Sequence, residues 1–133
     1  MNDLPDRALS IRQPWAWAIL RAGKRIENRP RRFNYRGLIC LHASSYMNGD
    51  AYSEAEAFIM DQSPPSWPPA MLSASNIRGG IIGTAEIVDC ISTSDDPWFF
   101  GPFGLVLENV QPVPFIPVKG MLGLFKWKER IIR

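Results

Sequence analysis

The chain has 133 residues, of which 46% are hydrophobic and 21% are charged. These values are typical of a globular protein and exclude an intrinsically disordered chain, and the length predicts one domain over residues 1–133. No segment approaches the roughly 18 apolar residues of a membrane span, and the first residues lack the apolar core of a signal peptide. We therefore expect a cytoplasmic protein with no membrane partner.

The charge is distributed unevenly along the chain. Residues 21–36 hold seven of the 15 basic side chains and one acid, Glu27, so this stretch alone carries +6. The other 117 residues carry eight basic and twelve acidic side chains, a balance of −4. A cationic segment on an otherwise acidic body indicates a surface that attracts phosphates.

The first third of the chain predicts two strands around a helix. Residues 8–11 form a short apolar strand, and Gln13-Pro14 opens a helix because proline suits the first helical position. The helix runs over residues 15–21 with Gly23 as its C-terminal cap. It is apolar around much of its circumference, which predicts that it lies between the sheet and another element. Residues 25–29 then form an edge strand that ends at Pro30.

The middle of the chain predicts a buried strand, a helix and a loop. Residues 38–43 read as the strand, and residues 51–61 read as the helix. Its inward-facing residues are expected to be Ala51, Ala55, Phe58 and Ile59. The proline-rich residues 63–70 predict a surface loop, with a docking site for a partner protein at Trp67 as the alternative.

The last half of the chain is rich in strands. Residues 81–91 are expected to be the longest, with Gly83 marking a bulge or a tight bend. Residues 103–108 and 124–128 are two more, and residues 112–117 are extended but carry prolines, which predicts a sheet edge. Six or seven short strands with two early helices predict an α+β fold, a small, partly closed β-barrel with helices packed beside it.

The sequence contains few signals of cofactor or metal chemistry. It has no glycine-rich phosphate loop and no known catalytic serine or zinc motif. Cys40 and Cys90 lie in apolar strands and are expected to be small buried side chains without a disulfide. Two cysteines and one histidine make a poor metal site, so no metal and no cofactor are predicted.

Lys24 and Glu27 are the strongest candidates for chemistry. Lys24 can act as a base after desolvation, can neutralise a phosphate, or can be a solvated turn residue. Residues three apart on an extended segment face opposite ways, but a turn at Gly23 can bring Lys24 back toward Glu27. Glu27 can then pair with a cation or accept a hydrogen bond from an amino group of a base.

Other candidates suit nucleic-acid binding. Forked arginine donors favour phosphate contacts, and aromatic rings stack on bases. Trp15 and Trp17 can stack or belong to the core, and His42 is either a hydrogen-bonded core residue or a general acid–base. The remaining candidates are Arg29, Arg31, Arg32, Tyr35, Arg36, Ser44 and Ser45.

Seven segments of the chain form a recognisable series. They are LSIRQPWA (9–16), GKRIENR (23–29), YRG (35–37), LHAS (41–44), GGIIGTAEIVDC (79–90), PVKG (117–120) and LFKW (124–127). In these segments and their order, over about residues 8–128, the chain resembles the ASCH (activating signal cointegrator homology) domain. The resemblance is to the free-standing form found in bacteria and phages, which is similar to the domain of the eukaryotic coactivator.

The resemblance implies a PUA-like β-barrel of about six strands with a cleft between the first helix and the barrel. It implies nucleic-acid binding there, with single-stranded or structured RNA favoured over DNA. Phosphates are then expected on Arg29, Arg31, Arg32, Arg36 and Lys119. A base is expected near Gln13, Lys24, Glu27 and His42.

The family also implies an alternative, a small metal-independent hydrolase. One branch removes an N4-acyl group from cytidine with a lysine that corresponds to Lys24, but that branch has threonine where this chain has Glu27. A ribonuclease is therefore favoured over an amidohydrolase within this alternative. Its reacting groups would be Lys24, Tyr35 and His42.

Overall fold

The computed structural model describes residues 3–62 and 76–133, and its framework is one curled six-stranded sheet with two helices beside it. The sheet closes about half of a barrel. This confirms the predicted α+β barrel. The described elements follow the chain as β1 (Arg7–Ile11), α1 (Trp15–Arg21), β2 (Ile26–Arg29), β3 (Gly37–Ala43), α2 (Gly49–Gln62), β4 (Gly80–Ile91), β5 (Phe103–Pro117), β6 (Leu124–Lys126) and a 3-10 turn (Lys128–Arg130).

The order of strands across the sheet is β2-β5-β4-β3-β1-β6. Among the described strands only β1 and β3 pair in parallel, and their pairing places Ser10 directly beside His42. The strands β1 and β2, which flank α1 in sequence, are separated in the sheet by three others. α1 contacts β3 and β5, and the ends of β1 and β2 approach each other, since Arg29 Nη2 on β2 donates to the Ser10 carbonyl on β1.

β5 is one strand of 15 residues where two shorter strands were predicted. The prediction failed at Asn109, which adopts φ 53°, a left-handed conformation that asparagine tolerates better than most residues. Its amide donates to Glu86 Oε1 at 2.7 Å, and the pairing with β4 shifts register there. A bulge of this kind bends a strand without ending it.

Prolines in β5 and Gly83 in β4 determine how these two long strands pair near one end. β2 pairs only with Phe103–Val106, so within the described chain the proline-containing half of β5 has a strand on one side alone. This confirms the predicted edge. The register also shifts beside Gly83, as predicted, and a Cβ there would lie 2.6 Å from Leu20 Cδ2 and 2.7 Å from the Gln111 carbonyl oxygen.

α1 is buried on two sides, as its composition predicted. Ala16 and Ile19 pack into the main core of the sheet, while Trp17 packs with Ile59 of α2. Gly23 adopts φ +75°, and the Lys24 amide donates back to the Ala18 carbonyl. The predicted cap at the end of the helix is therefore confirmed.

α2 packs on α1 through its second half. Ala55 and Ile59 are buried, as predicted, and Phe58 is half-buried. Ala51 is exposed, so its predicted inward position was wrong. It lies in the first turn, where the helix borders a shallow depression beside Gln13 and Trp15 instead of the core.

Both cysteines are free thiols in the interior, as predicted. Burial raises the pKa of the Cys40 thiol to about 11. The predicted proline-rich loop with Trp67 lies outside the described residues. Among the helices that are described, none combines the length and apolar character needed to cross a membrane.

Candidate functional site

The ends of β1 and β2, the start of α1 and the loop before β6 enclose a cleft made of two adjoining pockets. The inner pocket has a volume of about 370 Å3. Its lining residues are Ser10, Ile11, Arg12, Trp15, Glu27, Asn28, Arg29, Pro30, Ser44, Leu122 and Gly123.

The outer pocket is larger, about 580 Å3. Its lining residues are Ser10, His42, Ser44, Ser45, Tyr46, Gly79, Val118, Lys119, Gly120, Met121, Leu122 and Ile132. The two pockets share Ser10, Ser44 and Leu122, so they form one continuous cleft.

A buried ion pair lies under the inner pocket. Lys24 is only 2% exposed, and its ammonium donates to the Ile26 carbonyl and to Glu27 Oε1, which is 3.4 Å away. Burial is the main cause that lowers the pKa of Lys24, and the neighbouring Glu27 opposes this effect. The turn at Gly23 brings the two side chains together as predicted, with Lys24 behind the pocket and Glu27 in its wall.

Arg29 holds the other side of the Glu27 carboxylate. Its Nε lies 3.6 Å from Glu27 Oε2, and its Nη2 donates to the Ser10 carbonyl at 3.1 Å. The Nε group is buried and makes no hydrogen bond. Arg29 thus joins β2 to β1 across the floor of the cleft and leaves the carboxylate between two cations.

Trp15 forms the aromatic wall of the inner pocket. Its ring is half-buried, with the Lys24 ammonium 5.5 Å from its centre. The ring centres of Phe58, Trp98 and Phe100 lie 5.7–6.4 Å from the Trp15 ring centre, at interplanar angles of 64–90°. Such edge-to-face contacts fix the ring orientation. Trp17, the other candidate for stacking, is 6% exposed and belongs to the core.

Gln13 is buried beside this wall and supports it. Its Oε1 accepts the Trp17 amide at 2.8 Å, and its Nε2 donates to the Ile77 carbonyl at 2.8 Å. The side chain therefore ties the start of α1 to the segment before β4. It borders a small depression next to the inner pocket.

His42 contributes to the outer pocket from a buried position. Its Nε2 is 2.7 Å from the Val118 carbonyl oxygen, and its Nδ1 is 3.0 Å from Ser10 Oγ. Because a carbonyl only accepts hydrogen bonds, Nε2 carries the proton and Nδ1 accepts the serine hydroxyl. Gly120 fits against the ring, since a Cβ there would lie 2.6 Å from His42 Cε1.

Lowering the pH is expected to destabilise the protein through His42. Burial, with help from the charge of Arg130, lowers the pKa of His42 below its usual 6.5. As the pH falls through 6.5, the unfolded chain therefore binds the proton first, and the free energy of unfolding decreases. Urea denaturation at pH 7.5 and pH 5.5 measures this loss. Because His42 is the only histidine, His42→Gln is expected to reduce the loss of stability between the two pH values. An equal loss in the variant would show that His42 is not its cause.

Several residues that were predicted to bind a ligand line the cleft. Ser44, Ser45 and Lys119 line the outer pocket, and Glu27 and Arg29 line the inner one. The roles predicted for these side chains in binding stay predictions.

Other candidates lie away from the cleft. Neither pocket is lined by Arg31, Arg32 or Arg36. Arg31 and Arg32 are exposed just beyond β2, and Arg32 lies 4.9 Å above the Phe103 ring. Arg36 donates to the carbonyls of Phe33 and Tyr35 and lies 3.9 Å from Asp89.

The three predicted reacting groups are not gathered at one point. The Tyr35 hydroxyl donates to the Leu38 carbonyl, and its ring lines a separate depression with Asp3 and Asp6. Lys24 is buried behind the inner pocket, while His42 borders the outer one. Over residues 3–62 and 76–133, no group of three or more metal-ligating side chains is placed to hold an ion.

Sequence reasoning missed several residues of the cleft, among them Ser10, Arg12 and Leu122. Ser10 lies at the junction of the pockets, Arg12 places its guanidinium 4.1 Å above the Tyr46 ring, and Leu122 is 97% exposed between the pockets. The position of Arg12 could have been predicted from the sequence, because it directly precedes the Gln13-Pro14 start of the helix. The exposure of Leu122 could also have been predicted, because it is an apolar residue in a short loop flanked by glycines.

The comparison with protein families confirms the family that the sequence suggested, and the segments at 117–120 and 124–127 lie outside the matched residues. A model of the ASCH domain matches residues 9–99, from β1 to the loop after β4. This match contains all of α1, β2 and β3 and so most of the inner pocket. No curated protein matches the chain.

Proposed function

The chain belongs to the ASCH domain family, which is PUA-like and linked to RNA binding, and on this basis we propose that its cleft binds single-stranded or structured RNA in preference to DNA. The observation that carries the proposal is the inner pocket. It combines an aromatic wall, Trp15, with a buried carboxylate, Glu27, and two guanidinium groups, Arg12 and Arg29. Stacking surface, a hydrogen-bonding group and phosphate partners are what an unpaired nucleotide requires.

The outer pocket supports a ligand longer than one nucleotide. It continues from the inner pocket across Ser10 and Ser44, and Lys119 is exposed on its border. A backbone that runs through both pockets would meet Arg12 or Arg29 first and Lys119 next. The exposed Arg31 and Arg32 then extend the positive surface beyond β2 for a longer strand.

The serine hydroxyls favour RNA over DNA. Ser10 donates to His42 Nδ1, which leaves the lone pairs of its oxygen free to accept a second hydrogen bond. The Ser44 hydroxyl accepts the Tyr46 amide at 3.1 Å and keeps its own proton to donate. A ribose 2′-hydroxyl both donates and accepts, so it pairs with such groups where deoxyribose cannot.

Binding is expected to weaken steeply with salt. For single strands, the logarithm of the binding constant falls with the logarithm of the salt concentration, with a slope of about −0.7 for each phosphate contact. About three contacts therefore predict a loss of roughly 20-fold in affinity between 50 and 200 mM salt. Fluorescence anisotropy with an eight-nucleotide single-stranded RNA, and with the DNA of the same sequence, measures this. Arg12→Ala is expected to weaken binding about fivefold and to reduce the salt slope.

Arg7→Ala is the matched control for Arg12→Ala. Arg7 is also exposed and begins β1, the strand that ends one residue before Arg12, but it lines the separate depression near Tyr35. Equal effects of the two substitutions would contradict binding in the cleft. Absence of any salt-sensitive binding at 50 mM salt would contradict the proposed function itself.

The hydrolase alternative has one observation in its favour. His42 accepts a hydrogen bond from the Ser10 hydroxyl at Nδ1, the geometry that a general base requires, and it borders a pocket large enough for a nucleotide. Cleavage of the same RNA in EDTA by the wild type, and not by His42→Gln, would support this alternative over binding alone.

A further inference from the structure

We infer that the inner pocket selects guanine, with the Glu27 carboxylate accepting the two N–H groups of the base's Watson–Crick edge. The inference rests on the proposed function, because it assigns the base that the same cleft holds. It follows from the acceptor character of Glu27, from the donor pattern of the four bases and from the placement of Trp15.

Glu27 is oriented as an acceptor that faces the pocket. Its two partners, Lys24 Nζ at 3.4 Å and Arg29 Nε at 3.6 Å, are both donors, one on each carboxylate oxygen. A carboxylate has about four acceptor positions, so two long contacts leave capacity for a ligand. The side chain is 11% exposed, and the residue lines the inner pocket. Its free acceptor positions are therefore available to a ligand there.

Only guanine among the four RNA bases presents two adjacent donors on one edge, the N1–H and the N2 amino group. Adenine and cytosine present one amino group beside a ring acceptor, and uracil presents one N–H between two carbonyls. An acceptor placed against the carboxylate is repelled and loses its water without a partner, which is the basis of strong discrimination at buried polar sites. Guanine alone uses both oxygens of Glu27.

The walls of the pocket fit a base in this orientation. Trp15 supplies a flat ring whose position is fixed by Trp98 and Phe58. The pocket volume of about 370 Å3 accommodates one nucleotide. Arg12 lines the same pocket as Trp15, and its guanidinium suits the phosphate of the bound nucleotide. Since one good bidentate contact to a base discriminates by about 10- to 100-fold, we expect a preference of that size.

Modified bases test the inference on the wild-type protein. The probes are oligouridine eight-mers with one central guanine, adenine, cytosine, inosine or 7-deazaguanine, measured by anisotropy at 50 mM salt. Inosine lacks the N2 amino group, whereas 7-deazaguanine keeps both Watson–Crick donors. We expect guanine and 7-deazaguanine to bind equally, inosine about fivefold more weakly and the other bases at least about tenfold more weakly.

Glu27→Gln gives the matching test on the protein side. The amide offers one donor and one acceptor, so the preference for guanine is expected to fall to within about threefold of the other bases. Salt-dependent binding is expected to remain. Glu129→Gln, at an exposed glutamate outside the cleft, is the control and is expected to keep the preference. If Glu27→Gln does not fold, as thermal unfolding would show, the inosine comparison decides.

The outcomes separate the inference from the proposed function. If no RNA binds at 50 mM salt, the proposed function fails and the inference fails with it. If all the probes bind with equal affinity and the usual salt dependence, only the inference is overturned. Loss of affinity for 7-deazaguanine but not for inosine also overturns it, because the base would then be recognised through its other edge.

Discussion

Lys24→Met is expected to lower the free energy of unfolding by about 2 to 3 kcal/mol, because it leaves the Glu27 carboxylate in the interior without its ammonium partner. Removing one member of a buried ion pair typically costs about 3 to 5 kcal/mol. The expected loss lies below that range since Arg29 remains 3.6 Å from the other carboxylate oxygen. The Ile26 carbonyl also loses a donor. Urea denaturation at pH 7 measures the change.

Lys128→Met is the matched control for this prediction. Lys128 pairs with Asp6 at a shorter distance, 2.9 Å, but the two side chains are 39% and 81% exposed. Water and salt screen an exposed pair of this kind, so Lys128→Met is expected to change the free energy of unfolding much less than Lys24→Met does. The double variant Lys24→Met/Glu27→Gln is expected to recover at least half of the loss, because the unpaired charge is removed. Equal effects of Lys24→Met and Lys128→Met would contradict the buried pair.

Gly83→Ala is expected to destabilise the protein by about 2 to 3 kcal/mol, near the upper end for overpacking of a core. The added methyl would lie 2.6 Å from Leu20 Cδ2 and 2.7 Å from the Gln111 carbonyl oxygen. Leu20 can rotate, but the carbonyl is part of β5, so β4 and β5 must move apart at the bulge. The midpoint of thermal or urea unfolding measures the loss.

Gly49→Ala is the control for Gly83→Ala. Nothing lies within 4 Å of a Cβ at Gly49, which begins α2. Alanine there is expected to leave stability unchanged or to raise it by up to about 1 kcal/mol, because it favours the helix. A Gly83→Ala protein as stable as Gly49→Ala would contradict the close approach of α1 to the bulge. The added methyl group pushes on Leu20 of α1. Because α1 forms one side of the cleft, Gly83→Ala is also expected to weaken RNA binding.

Most elements of the fold could be predicted from local sequence. The strand at 38–43, the helix at 15–21 and the bulge at Gly83 depend on apolar patterning and on glycine, both of which act over a few residues. The split of β5 into two strands was wrong, because the strand continues through Asn109 with a shift of register. Only the pairing of Asn109 with Glu86 on the neighbouring strand shows that it bends the strand instead of ending it.

The candidate site could be predicted in part. Lys24 and Glu27 are three residues apart, so a single turn at Gly23 brings them together and the pair was visible in the sequence. Tyr35 lies close to them in sequence but points into another depression, because Pro30 and the residues after β2 lead the chain away from the cleft. Proximity in sequence therefore predicted the contact between Lys24 and Glu27 correctly, but it did not show whether Tyr35 lies near them.

The sequence by itself determined the charged segment, the family, the apolar helix and the strands, since each depends on residue types within short spans of the chain. Only the tertiary structure decided which side chains form the cleft. Ser10 meets His42 across 32 positions, Arg29 reaches Ser10 across 19, and His42 reaches Val118 across 76. These contacts arise because the curled sheet places β1 beside β3 and brings β2 back under α1, a geometry that depends on the packing of the whole sheet.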